Sequence, residues 1–166
     1  MWELTKTRDC RHSRRPVLCF GAALQMLALL FPLPALAACS FSSFSAIVFG
    51  NYDVFNNAPL DTVGTVAYRC GQTDHNITIV LDTGGASSFA NRRMLNGSEP
   101  LYYNIYLDAA RTMIWGDGSG GSKSYFIKNP QPNNADSTIQ IYGRIPAGQS
   151  VSTGIFANQL TVTMIF

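Results

Sequence analysis

The side chains able to do chemistry in this 166-residue chain are few. His12 and His75 are its two imidazoles. His12 lies in a stretch marked for removal, which leaves His75 without a second imidazole or a free thiolate to share a metal ion. A Ser-His-Asp triad around His75 would need a nucleophile held in a setting such as Gly-x-Ser-x-Gly, which does not occur. Asp82, Asp108 and Asp117 fall at strand ends and turns, where Asp serves local hydrogen bonding. Nothing singles out two of them as the carboxylate pair of a glycosidase. The run Trp115-Gly116-Asp117-Gly118-Ser119-Gly120-Gly121 has the glycines of a phosphate loop but no Gly-Lys-Ser/Thr. It also has too few acidic or amide ligands at alternating positions for calcium. The sequence therefore predicts no catalytic residue, no metal and no cofactor.

The remaining reactive groups are thiols, and their fate depends on the leader. The first 37 residues carry five basic and two acidic side chains, leaving seven basic and eight acidic for the rest, so the basic balance belongs to the N-terminal stretch. Residues 17–31 are mostly apolar, Pro32 and Pro34 close the run, and Ala35-Leu36-Ala37 satisfies the small-x-small rule. These features predict a signal peptide over residues 1–37, cleaved after Ala37 with Ala38 as the next candidate site. They leave an exported single domain over residues 38–166. The apolar run falls short of the roughly 20 residues that span a bilayer, so no integral membrane segment is expected after cleavage. Cys10 and Cys19 leave with the leader, and Cys39 and Cys70 remain in an oxidising compartment. Their pairing closes a 31-residue separation and is worth about 3.5 kcal/mol in the chain-entropy model. A competing reading treats Leu36-Ala37-Ala38-Cys39 as a lipoprotein cleavage site with Cys39 lipidated, which would strand Cys70 as an odd exported thiol.

Short strands separated by turn signals must position these groups. Residues 158–166 alternate Leu160, Val162 and Met164 with Gln159, Thr161 and Thr163, the period of a strand with one face in a core. An apolar strand with no successor to cover its edge is a place for another chain to pair. Residues 40–49 read as an irregular, bulged strand, and residues 65–70, 76–82, 92–95, 101–107, 113–115, 123–128 and 137–144 as further strands. Cys39 and Cys70 then join the start of the first to the end of the second, which suits antiparallel neighbours. Three-to-four spacing of apolar residues is not sustained for three turns outside the leader. The pattern predicts an all-β antiparallel sandwich, and the modest charge excludes a strongly basic nucleic-acid binder.

Several stretches together carry a resemblance. They are Phe49-Gly50-Asn51-Tyr52-Asp53 after the first Cys, Gly64-x-Val66-x-x-x-Cys70, Arg93-x-Leu95, and residues 101–108 followed by Trp115-Gly116-Asp117-Gly118. To these are added Gly143-Arg144-Ile145-Pro146-Ala147-Gly148-Gln149 and Leu160-Thr161-Val162-Thr163. As a set, covering residues 39–166, they resemble the spore coat protein U domain family, whose members look mainly like secreted pilin subunits of archaic chaperone-usher pili. The resemblance implies an immunoglobulin-like sandwich lacking its last strand and completed by a donated one. The implied partners are a periplasmic chaperone, an outer-membrane usher and a neighbouring pilin subunit, joined by β-strand addition. On that basis Leu160, Val162, Met164 and Phe166 are expected to border the acceptor groove and meet the chaperone. The implied life history runs from periplasm to a cell-surface fimbria acting in attachment and biofilm formation, without catalysis. A donor segment needs ten or more residues ahead of the first Cys, and cleavage after Ala37 leaves Ala38 alone. A terminal, tip position is the corresponding expectation.

A reading of a different class is a stand-alone carbohydrate-binding or outer-membrane-tethered module, with Tyr102, Tyr106 and Trp115 as its sugar-facing aromatics.

Overall fold

The computed structural model describes residues 39–71, 74–130 and 135–166, so the expected signal peptide and its cleavage site lie outside the described residues. Nine strands follow in order: β1 Cys39–Phe44, β2 Leu60–Cys70, β3 Ile77–Leu81, β4 Arg93–Asn96, β5 Glu99–Tyr102, β6 Asn104–Tyr106, β7 Tyr125–Ile127, β8 Asp136–Ile145 and β9 Val162–Ile165. A 3-10 turn, Phe89–Asn91, precedes β4. No helix among the described residues is long and apolar enough to cross a membrane.

The strands form one sheet in the order β1-β2-β8-β6, a second in the order β7-β3-β9, and a β4-β5 hairpin. Every strand pair is antiparallel. The β2-β8 ladder, running from Leu60↔Ile145 to Arg69↔Asp136, is the backbone of the first sheet. Alternation in both strands aims Val66, Tyr68 and Cys70 and Ile139, Ile141 and Ile145 inward. They meet Ile77, Ile79 and Leu81 of β3 in a core completed by Ile105 and Trp115. The architecture is the immunoglobulin-like antiparallel sandwich that the strand pattern and the resemblance implied.

Cys39 and Cys70 are direct partners across β1 and β2 and are joined by a disulfide. The bulge expected in the first strand appears as a register shift between Phe41 and Ser43. The stretch 101–107 differs from the expectation. Residues 101–107 form two strands in two sheets, because the Tyr103 N–H donates to the Arg92 carbonyl at 3.0 Å and takes no sheet partner. Asn104, on the face that alternation assigns to solvent, is buried. It receives Nη1 of Arg92 at 2.9 Å and donates to the Phe89 carbonyl at 2.8 Å. A buried polar network thus overrides the period-two pattern. Residues 113–115 join their neighbours through isolated bridges, Tyr106↔Ile114 and Trp115↔Lys123.

Candidate functional site

Among the described residues β1 pairs with β2 alone and β9 with β3 alone, and the edges they leave both border the same cleft. After Phe44 the chain stays tied to β2, with the Ser45 N–H donating to the Thr65 carbonyl at 2.8 Å and the Thr62 hydroxyl to the Val48 carbonyl at 2.9 Å. Between those ties it turns inward. Gly64 and Gly143 occupy inward positions of β2 and β8, and an added Cβ would lie 2.7 Å from Ile47 and 2.8 Å from Phe49 respectively. The bare backbone at these two sites lets Ile47 and Phe49 lie flat on the sheet.

The opposite wall is the chain leading into β9. Phe156, Asn158, Leu160, Val162 and Met164 are half-buried, alternating with exposed neighbours. This wall is pinned along its length. Leu95 and Ala157 exchange backbone hydrogen bonds of 2.9 and 3.1 Å. The Thr161 N–H donates to Oδ1 of Asp82 at 3.0 Å, and the Asp82 N–H returns one to the Thr161 carbonyl. The Ser152 N–H and hydroxyl both donate to the Glu99 carboxylate.

Between the walls runs an apolar cleft of about 570 Å³ floored by Val66, Leu81, Ile105, Trp115 and Ile141. A second, more polar section of about 760 Å³ reaches Tyr52, Asp53 and Ser152. The two share Ile47, Phe49, Met94 and Phe156, so they form one trough lying directly over the core. As residue numbers rise along the 44–54 wall they fall along the 151–162 wall, so the walls are antiparallel. Among the described residues lining the apolar section, Tyr103 is the single titratable side chain. Burial, the largest influence, pushes its hydroxyl pKa up, so it stays protonated. Behind it the fully buried Arg92 donates to the Asp82 carbonyl and to Asn104 and lies 5.2 Å from the centre of the Phe89 ring. Desolvation pulls its guanidinium pKa down to about 10, which leaves it charged at neutral pH.

Leu160 and Val162 line the cleft, Met164 packs on the core beyond it, and Phe166 stands 66% exposed past the end of β9. Trp115 requires a correction. It is completely buried, with its indole N–H donating to the Ile79 carbonyl at 3.3 Å, and offers no face to a sugar. Tyr102 is exposed but belongs to the β4-β5 hairpin, whereas half-buried Tyr106 belongs to the first sheet. His75 is exposed. Asp108 accepts the N–H groups of Thr112 and Met113, and Asp117 that of Ser119, as turn residues do. Cys39, Cys70 and Asp74 converge, but the sulfurs are spent on the disulfide and Asp74 accepts the Gly71 N–H. The sequence reading gave no groove role to Phe156, Asn158, Tyr103 or the two strand glycines, although Tyr103, Gly64 and Gly143 stand in the stretches that carry the resemblance. An isolated Gly inside each strand pattern was the available signal.

The described residues thus form a two-sheet antiparallel sandwich with an open apolar trough between two sheet edges. The chain belongs to the Spore Coat Protein U domain family, whose model matches residues 5–163. It is 28% identical over 145 residues to Protein U of Myxococcus xanthus, covering 78% of each chain. Its fold is similar, with a TM-score of 0.50 and 18% identity, to a chain in the crystal structure of the CsuC-CsuE chaperone-tip adhesion subunit pre-assembly complex from archaic chaperone-usher Csu pili of Acinetobacter baumannii. The match covers 77% of this chain and 39% of that one.

Proposed function

We propose that this protein is a non-catalytic structural subunit of a secreted chaperone-usher fibre, and that the trough receives an extended strand from a partner. The observation that carries the reading is the open apolar cleft over the core between the edges of β1 and β9. An inserted strand would satisfy main-chain groups of both edges while its alternate side chains enter the cleft. Each apolar side chain so buried contributes about 1.5–3 kcal/mol. In this reading a periplasmic chaperone occupies the trough first and a neighbouring subunit replaces it at an outer-membrane usher. The finished fibre acts at the cell surface in attachment and biofilm formation. Leu160 and Val162 border the inserted strand, and Met164 and Phe166 extend the same edge for chaperone contact. Membership of the family and the likeness in fold to a subunit crystallised with its chaperone support this reading. The terminal position in the fibre rests on cleavage after Ala37 leaving Ala38 alone ahead of the disulfide-bonded Cys39, which N-terminal sequencing of the exported protein tests.

The decisive experiment expresses the mature chain in the periplasm and melts it with and without a synthetic peptide of alternating apolar residues. A rise in Tm on the order of 10 °C at saturating peptide is expected. A chain that is monomeric, cooperative and unresponsive to any strand peptide or co-expressed chaperone overturns the reading.

A further inference from the structure

An apolar trough binds an alternating apolar strand, but it does not by itself say in which register. Sliding such a strand by two residues returns every inward side chain to an apolar neighbour, so register is weakly held. Of the polar side chains lining the apolar section, Ser45 and Gln159 are exposed, whereas Tyr103 is buried and Asn158 half-buried. Tyr103 is 5% exposed, and the Asn158 amide donates to its hydroxyl at 3.0 Å. Phe49 packs edge-on to the Tyr103 ring at 5.8 Å, and a Cβ on Gly84 would meet the Asn158 amide, so both side chains are held in place.

This pair is not self-sufficient. With the amide nitrogen donating, the Tyr103 proton has no acceptor among the described residues, and Asn158 Oδ1 has no donor. With the amide turned over, the hydroxyl donates to oxygen and both amide N–H groups are left over. In either orientation at least one donor of this trough-lining pair has no partner within the pair. An apolar side chain laid over it would seal that donor from water and incur the cost of an unmade hydrogen bond.

We infer that the apolar section of the trough contains a polar subsite, formed by the Tyr103 hydroxyl and the Asn158 amide, that accepts a hydroxyl- or amide-bearing side chain of the inserted strand and so fixes its register. The inference rests on the proposal that the trough takes a strand. Its physical logic is that of a single buried Asn in a coiled-coil seam, where one polar position sets alignment that apolar packing leaves open. The occupant is accordingly an extended segment with apolar residues at alternate positions and one Ser, Thr, Asn or Gln among them. That residue sits level with Asn158, between the positions that face Phe156 and Leu160.

The test uses the mature protein and a set of strand peptides with valine at every inward position, substituted by threonine at one inward position at a time. The hydroxyl is the main chemical difference between the two side chains. Affinity is read by fluorescence anisotropy. Threonine at one position is expected to bind about tenfold tighter than threonine at the inward positions flanking it. That preference should disappear in Tyr103→Phe or in Asn158→Leu. The inference is overturned if threonine weakens binding equally at every position, or if the preferred position persists unchanged in both variants. Failure of every peptide to bind, including the all-valine one, removes the strand-acceptor reading itself and this inference with it. The wild-type scan decides the matter even where a variant does not fold.

Discussion

Gly143 of β8 faces Phe49 so closely that a single added carbon would lie 2.8 Å from the ring. The contact links an inward position of the central ladder to the wall of the trough. Gly143 does not adopt a left-handed backbone, so its role here is space. The Gly143→Ala variant should therefore displace Phe49, with a loss of about 1–3 kcal/mol typical of overpacking. It should also weaken the response to a strand peptide, because the same ring lines the cleft. Thermal melting with and without peptide checks both. An unchanged Tm together with an unchanged peptide response would show that the wall has room to give.

The disulfide acts at the other end of that wall. Cys39 opens β1 and Cys70 closes β2, so the bond ties the edge strand to the ladder that supports it. The Cys39→Ser/Cys70→Ser double variant should lose about 3.5 kcal/mol. For a domain of this size that lowers Tm by on the order of 10 °C. Peptide capture should fall too, since an edge strand that frays carries the 45–49 wall with it. Equal melting curves for the oxidised and the double-variant protein would contradict this.

How much of this was legible in the sequence depends on whether local alternation matched tertiary partners. Residues 158–164 alternate in sequence and alternate in burial, and Cys39 and Cys70 paired as strand neighbours should. Period two also ran smoothly through residues 101–107, where the fold breaks the strand. The break comes from Arg92, twelve residues before Asn104, and a polar link of that kind leaves no trace in apolar periodicity. Trp115 is grouped in the sequence with Tyr102 and Tyr106 as a candidate sugar-facing aromatic, yet its buried carbonyl partner on Ile79 is 36 positions away. The trough itself was legible only through the resemblance, because its walls are brought together by glycines whose contacts are long-range.

On the outer face of the first sheet, Asp61 accepts from Arg144 at 2.7 Å and forms an ion pair with Arg111 at 3.2 Å. The Arg144 hydrogen bond, chiefly, holds the Asp61 carboxyl below its ordinary value of 3.8. A lowered folded pKa means that the carboxylate's contribution is present above the unfolded value. It is lost as the pH falls through the folded one. Asp61→Asn should therefore lower stability at pH 6 by on the order of 1 kcal/mol, modest because the pair is partly solvated. The deficit should shrink below pH 3. Urea unfolding at the two pH values decides it, and a deficit that stays constant would assign the effect to packing.

The buried Arg92 tests how the final strand is held. Its guanidinium donates twice to the Asp82 carbonyl and once to Asn104, while the Asp82 side chain accepts the N–H of Thr161 just ahead of β9. Arg92→Met nearly preserves the bulk but leaves the part-buried Asp82 carbonyl and the buried Asn104 side chain without those donors, a loss of about 3 kcal/mol. Arg92→Lys should recover little of it, because an ammonium cannot present two parallel N–H groups to one carbonyl and a third to Asn104. The local signature is more telling than the global one. Hydrogen exchange at Thr161 and along β9 should accelerate beyond the change in global stability, since Asp82 is the link from Arg92 to that strand. Exchange that rises uniformly across β2, β3 and β8 instead would mean that Arg92 supports the sandwich as a whole and leaves the trough wall to the Leu95–Ala157 bridge.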